Sequence, residues 1–450
     1  MVDLKDEEEI KIINDKNNQR YVPQTLAQMK NAAEPNSANR NVISNSGINR
    51  SNLNSNRNTS WTQSSSATSR AKTQNRMSTS SKPVDRKVGA RPPQTRESKT
   101  NKATIIMRVA TVFVILLTTV IAMYALVVFG NVPFITKWRN IWIETAMTTD
   151  QHKWLATSFF PEALINQVMD AQVDIKDIGK TEIVEDEEPD ILGQKNLVVG
   201  ELDKHGNEVL INDIEQGIVV LKVKTSNYVG RLVLIDDPSR VYLATTNYKN
   251  SRGQFICDYL EREDAVIGSN ASGFHDPGGT SVGGVVTAQC ISQGEYWGTY
   301  SSKYITVGFD ENDRLVVGEF SNWDDYKLRD AFQYHPALIV NGDKVIEGSS
   351  GWGLQPRTVI GQAENGVVMI FVVDGRQVGY SLGATMGDCA DVLEMYGAVN
   401  AGACDGGSSS VLAYEGEILN EPSTNMPTGR YLPNAWVVAR KTTESTDKTN

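Results

Sequence analysis

From Leu197 onward the chain runs in short Val- and Ile-rich blocks at Gly217–Val223, Val229–Ile235, Val241–Thr245, Tyr304–Phe309, Leu315–Phe320, Val367–Val373 and Ala435–Ala439. Several are bounded by Gly, Asn or Asp, and apolar runs of that length closed by turn residues predict strands. Helical spacing appears mainly at Tyr259–Ala265, Tyr326–Gln333 and Met386–Tyr396. The mixture predicts an α+β fold. One strand-rich domain would occupy residues 195–440, with an extensive antiparallel or mixed sheet and enough chain for a full core.

Ahead of that domain the pattern changes. Ile105–Phe129 is apolar almost throughout, broken only by Arg108 at its edge and by Thr118 and Thr119. That length suffices for a helix crossing a bilayer, and its distance from the N-terminus argues against a cleaved signal. Residues 104–130 are therefore predicted as a transmembrane helix. Residues 131–194 carry Trp138, Trp142, Trp154, Phe159 and Phe160 at helical spacing, then an acidic stretch through Glu185–Asp190. They read as a membrane-proximal helical stalk closed by an acidic linker. Residues 1–103 are dominated by Asn, Ser, Thr, Gln, Lys and Arg without periodicity, which predicts a disordered tail. Such a segment buries too little apolar surface to offset its ordering entropy. Residues 441–450 read as a second, short disordered tail.

Charge divides the chain in the same places. Residues 1–103 hold 18 basic against 9 acidic side chains, whereas residues 131–450 hold 25 against 45. The basic excess before the apolar span predicts a cytoplasmic N-terminus and an acidic extracellular domain. An acidic domain argues against nucleic acid as a partner. All four cysteines, Cys257, Cys290, Cys389 and Cys404, fall in the external part. A local Cys389–Cys404 bridge and free buried thiols are both compatible with the spacing. No Cys-x-x-Cys pair or His cluster points to zinc, so no cofactor is expected. A divalent cation such as calcium is a secondary candidate through Asp374, Asp405 and Asp276, without EF-hand spacing to support it.

Two acidic turns each follow an apolar run: Asp374-Gly375-Arg376 and Asp405-Gly406-Gly407-Ser408-Ser409-Ser410. A carboxylate at a strand end, followed by glycine that admits close backbone approach, suits sugar chemistry, although Asp-Gly is also an ordinary turn. Glycosidic cleavage passes through an oxocarbenium-like state needing acid and base or stabilising groups, for which Asp374 and Asp405 are the candidates. Where the bond joins sugar to phosphate, the leaving group is already anionic. Cationic groups then matter as much as the acid. Arg357, Arg376 and Arg430 would supply that charge, and Gly406, Gly407, Ser408 and Ser409 an anion nest. Asn270, between small residues, suits close ligand approach. Ser408 lies in no nucleophile elbow.

Seven short segments give these residues a context: Gly268-Ser269-Asn270-Ala271-Ser272-Gly273-Phe274; Gly278-Gly279-Thr280; Pro336–Gly342; Pro356–Gln362; Asp374-Gly375-Arg376; Asp405–Ser410; and Leu419-Asn420-Glu421-Pro422-Ser423, with Arg430 and Asn434 beyond. In this order they resemble the phosphodiester glycosidase family over most of residues 195–440. The chain departs from the family's Asn-Gly-Gly-Phe-Phe-like segment at Asn270–Phe274 and from its third glycine at Ser408. The resemblance implies Asp374, Asp405, Asn270 and Arg357 as catalytic. It implies Arg376, Gly406, Gly407, Ser408, Ser409, Gln362, Asn420 and Arg430 as substrate-binding. The expected function is a membrane-anchored extracellular hydrolase of sugar-1-phosphate diesters in cell-surface glycan or exopolysaccharide. A non-catalytic glycan-binding or polysaccharide-assembly factor is the alternative, and a third possibility makes the basic tail the functional end.

Overall fold

A computed structural model describes residues 101–149, 151–172, 179–181 and 194–442. The expected N-terminal tail up to residue 100, the acidic linker through Glu185–Asp190 and most of the C-terminal tail lie outside the described residues, and the last two residues assigned to the N-terminal tail open the first helix instead.

The described helices are α1 (Lys102–Phe129), α2 (Pro133–Met147), α3 (Trp154–Thr157), α4 (Glu162–Met169), α5 (Ile256–Glu263) and α6 (Met386–Met395). Helix α1 is long and apolar enough to cross a membrane. Pro133 opens α2 at the helical position where a missing N–H costs nothing. Arg139 of α2 donates from Nη1 to the Val128 carbonyl over 3.1 Å, satisfying one of the carbonyls left open at the end of α1. Ile143, Ala146, Ala156, Ile165 and Val168 then bury one common cluster among α2, α3 and α4.

Three sheets follow, and every strand pairing described is antiparallel. The largest has eight strands in the spatial order Glu208–Asp213, Ile218–Lys224, Val229–Ile235, Val368–Val373, Arg357–Ala363, Ala398–Ala403, Ala337–Val340 and Asp343–Lys344. Its second strand shows how one sheet serves two layers. Ile218 and Val220 face a core shared with the two five-stranded sheets, while Val219 and Leu221 face the opposite core under α6. Alternate side chains point to opposite faces, so a strand covered on both sides is apolar throughout. Thr385 and Asp388 fix the start of α6 by a reciprocal capping box. In the shared core Trp436 is fully buried and meets the Phe309 ring edge-on at 5.5 Å.

The expected helix at Tyr326–Gln333 is instead the strand Leu328–Tyr334, central in a five-stranded sheet between Cys290–Ser292 and Ile305–Asp310. Leu328, Ala331 and Phe332 mimic helical spacing because this strand is covered on both faces, which removes the alternation that marks a half-buried strand. All four cysteines are free thiols.

Candidate active site

The strand Ala398–Ala403 runs out at Cys404 and delivers Asp405 into a cavity of about 670 Å³, within the range of small-ligand sites. Two hydrogen bonds hold Asp405 Oδ1: the Tyr334 hydroxyl donates over 2.8 Å and the Gly406 amide over 3.0 Å. Ser409 hydrogen-bonds the same carboxylate. Burial pushes its carboxyl above the ordinary value, against the pull of these donors and of Arg430. A carboxylate held this way carries a proton more readily than a solvated one.

Arg357, Arg376 and Arg430 stand around the same cavity. Arg430 donates to Asp276 Oδ2 over 2.6 Å and to Ser408 Oγ over 3.2 Å, with Phe274 beneath its guanidinium. Arg376 donates from Nε and Nη2 to Gln355 Oε1 at 3.0 and 2.6 Å. Arg357 binds three carbonyls, those of Ala384, Trp352 and Gly353, and burial lowers it to about 10. It therefore braces the 352–353 loop while adding positive potential to the cavity. His335 packs edge-on against Trp352 at 4.4 Å, and burial lowers it to about 4, so it is uncharged at neutral pH.

The Gly406–Ser409 turn reaches the cavity, but its amides are less open than an anion nest requires. Those of Gly406, Gly407, Ser409 and Ser410 are spent on Asp405 Oδ1 and on the carbonyls of Pro356, Gly406 and Gly407. A tight 3-10 turn closes on itself.

Four expected site residues lie elsewhere. Asp374 is 1% exposed and does not line the cavity. Its Oδ2 accepts from Arg231 at 3.0 Å and Tyr380 at 2.9 Å, and its Oδ1 from Asn420 at 3.0 Å and the Glu421 amide at 2.8 Å. With both oxygens doubly occupied, none remains for substrate, so the expected Asp374–Asp405 pair is revised to one carboxylate at the cavity and one bracing carboxylate. Asn270 is fully buried, donating to the Asp405 carbonyl over 2.6 Å and accepting from Thr358 and the Val411 amide. It holds the Asp405 turn and does not line the cavity. Asn420 links Asp374 to the Leu412 amide and the Ser410 carbonyl. Gln362 bonds Leu315, Asp313 and Gly366, away from the cavity. Among the described residues no cluster of three metal-ligating side chains occurs, and Asp276 is engaged by Arg430.

Sequence reasoning did not pick out Tyr334, Trp352 or Gln355, nor the wall formed by Thr148, Thr149, Gln151 and His152 just past α2. No local motif marks them.

Residues 263–439 match the sequence model of the family described as phosphodiester glycosidase. The SPbeta prophage-derived uncharacterized protein YomE of Bacillus subtilis (strain 168) is 28% identical over 196 residues, 42% of this chain and 29% of that protein. The chain thus spans under a third of that relative's length. Among solved structures, the zebrafish N-acetylglucosamine-1-phosphodiester alpha-N-acetylglucosaminidase catalytic domain, auto-inhibited by its pro-peptide, shares 16% identity at a TM-score of 0.42, covering 50% of this chain and 82% of that one. A hypothetical protein from Synechocystis shares 15% identity at a TM-score of 0.39, covering 52% and 64%. The matched segment contains Asp405 and its three flanking arginines, and residues 263–439 form a phosphodiester glycosidase family domain.

Proposed function

We propose that the chain is a membrane-anchored extracellular hydrolase that cleaves sugar-1-phosphate diesters in cell-surface glycan or a sugar-phosphate polymer. The observation that supports it most directly is the placement of one carboxylate, Asp405, among three arginines in a single cavity. In this reading Arg376 and Arg430 hold the phosphodiester oxygens and stabilise charge as the bond from the anomeric carbon to the phosphate oxygen breaks. Asp405, ionised, faces the sugar and takes the proton of the water that attacks the anomeric carbon, while the phosphate monoester leaves with the electron pair of the broken bond; Tyr334 holds the carboxylate in place. The departing phosphate monoester needs little protonation, which fits a site where only Asp405 of the expected carboxylate pair lines the cavity. Helix α1 is the anchor in this proposal, and the basic excess before it sets the N-terminus in the cytoplasm.

The test is sugar release from a synthetic N-acetylglucosamine 1-phosphodiester by the detergent-solubilised full chain. Turnover that Asp405→Asn lowers by about a hundredfold or more is expected. Binding of the diester without turnover by the unaltered chain would instead establish the glycan-binding alternative.

A further inference from the structure

Helix α2 docks its C-terminal turn directly onto the loop that carries Gln355. The Leu354 amide donates to Thr145 Oγ1 over 2.9 Å, and a Cβ added at Gly353 would fall 2.4 Å from the Thr145 nitrogen. Gln151 reaches across to the Gly278 carbonyl at 3.0 Å on the opposite rim. Gln355 itself is 3% exposed. Its amide orientation is fixed by chemistry: Arg376 has only donors to offer, so Oε1 must face it. The NH₂ group therefore faces α2, donating to the Thr145 carbonyl at 3.0 Å, Thr148 Oγ1 at 3.3 Å and Thr149 Oγ1 at 3.0 Å.

Resting on the phosphodiester reading above, we propose that Gln355 is a positioning residue that ties Arg376 to the docked end of α2, making the membrane-proximal helix part of the anion-binding half of the cavity. Arg376 needs such a hold. Its backbone sits at φ +60°, a conformation L residues rarely adopt and that persists only where surroundings enforce it. Its guanidinium is buried beside Gly407, whose Cβ position lies 3.0 Å from Nη2. The only side-chain hydrogen-bond acceptor for Arg376 among the described residues is Gln355, so its aim follows wherever Gln355 is held. The holding groups Thr145, Thr148 and Thr149 lie outside the matched segment 263–439, so the family match does not cover this wall. Two ends of one amide thus join a helix beside the membrane to a cation in the cavity.

The experiment measures binding of inorganic phosphate to the full chain in detergent by calorimetry, for the unaltered protein, Gln355→Leu and the double variant Thr148→Val with Thr149→Val. Melting temperatures and, for the diester, KM and kcat are read alongside. The expected result is phosphate affinity about tenfold or more weaker in Gln355→Leu and several-fold weaker in the double variant, with KM rising more than kcat falls. Unchanged phosphate affinity in a double variant that melts normally overturns the proposal, including where Gln355→Leu fails to fold. Phosphate binding does not depend on turnover. A chain that hydrolyses nothing but still loses phosphate in these variants would sink the hydrolase reading and leave the positioning role standing.

Discussion

Tyr334 donates its hydroxyl hydrogen to Asp405 Oδ1 over 2.8 Å, joining the end of a strand in one five-stranded sheet to the turn that leaves the eight-stranded sheet. Burial holds the phenol well above its ordinary value, so it acts as a donor throughout the working pH range. That bond favours the ionised carboxylate. Tyr334→Phe should raise the Asp405 carboxyl further and move the acidic limb of the rate profile to higher pH. The accompanying fall in kcat is expected at about ten- to a hundredfold. A pH profile superimposable on that of the unaltered chain would remove Tyr334 from the mechanism.

Asp405→Asn should trade activity for stability. Burial raises the folded-state carboxyl above its unfolded value, so the native chain binds this proton more tightly than the unfolded chain does. The stability this contributes is present below the unfolded value and is lost as pH rises through the folded one. At about pH 7 the variant is therefore expected to melt at the same temperature as the unaltered chain or higher, with any gain vanishing near pH 4. Melting curves at the two pH values check it.

Asp374→Asn should do the reverse. Burial raises the Asp374 carboxyl too, but here all four surrounding groups donate to it, Arg231 among them, and an amide NH₂ must face at least one of them. The side chain is fully buried and its partner Arg231 is 12% exposed, so breaking the pair should cost about 3–5 kcal/mol. Denaturant unfolding reads the loss, and the fraction that remains folded is expected to keep phosphate binding.

Arg357→Lys should also act through structure. An ammonium cannot span the Ala384, Trp352 and Gly353 carbonyls as a planar fork does, so one or two buried acceptors lose their partner at about 1–3 kcal/mol each. Melting temperature should fall together with KM rising, because the same loop carries Gln355.

Cysteine labelling tests topology. Burial pushes the Cys290 and Cys389 thiols up to about 12, and Cys404 is buried too, whereas Cys257 is half-buried. A membrane-impermeant maleimide applied to intact cells should modify Cys257 first. Labelling of Cys257 only after lysis would place the domain on the other side of the membrane.

Local pattern revealed what local physics decides. Val229–Ile235 and Val241–Thr245 were legible as strands to the residue, because an apolar run between turn residues has few other uses. The Asp405 turn and the three arginines were legible as candidates, and the fold brings them to one cavity. Asp374 and Asp405 share the same Asp-Gly signature, and only their partners tell them apart. Arg231, Tyr380, Asn420 and Glu421 converge on one, and the open cavity on the other. Gln355 was invisible for a related reason. Its meaning comes from threonines more than two hundred positions earlier in the chain, a distance over which sequence carries no spacing rule.

Helix α2 also works as a ruler. It has 15 residues and begins four positions after α1 ends, so at 1.5 Å per helical residue and full extension of the joint, its far end lies within about 35 Å of the last turn of α1. In the proposed anchored form, where α1 would span a bilayer, the cavity has a ceiling on its height and cannot follow a substrate outward. Any phosphodiester it meets must be brought down to that height, by attachment to lipid, by emerging from the membrane there, or by a polymer loose enough to sag to it.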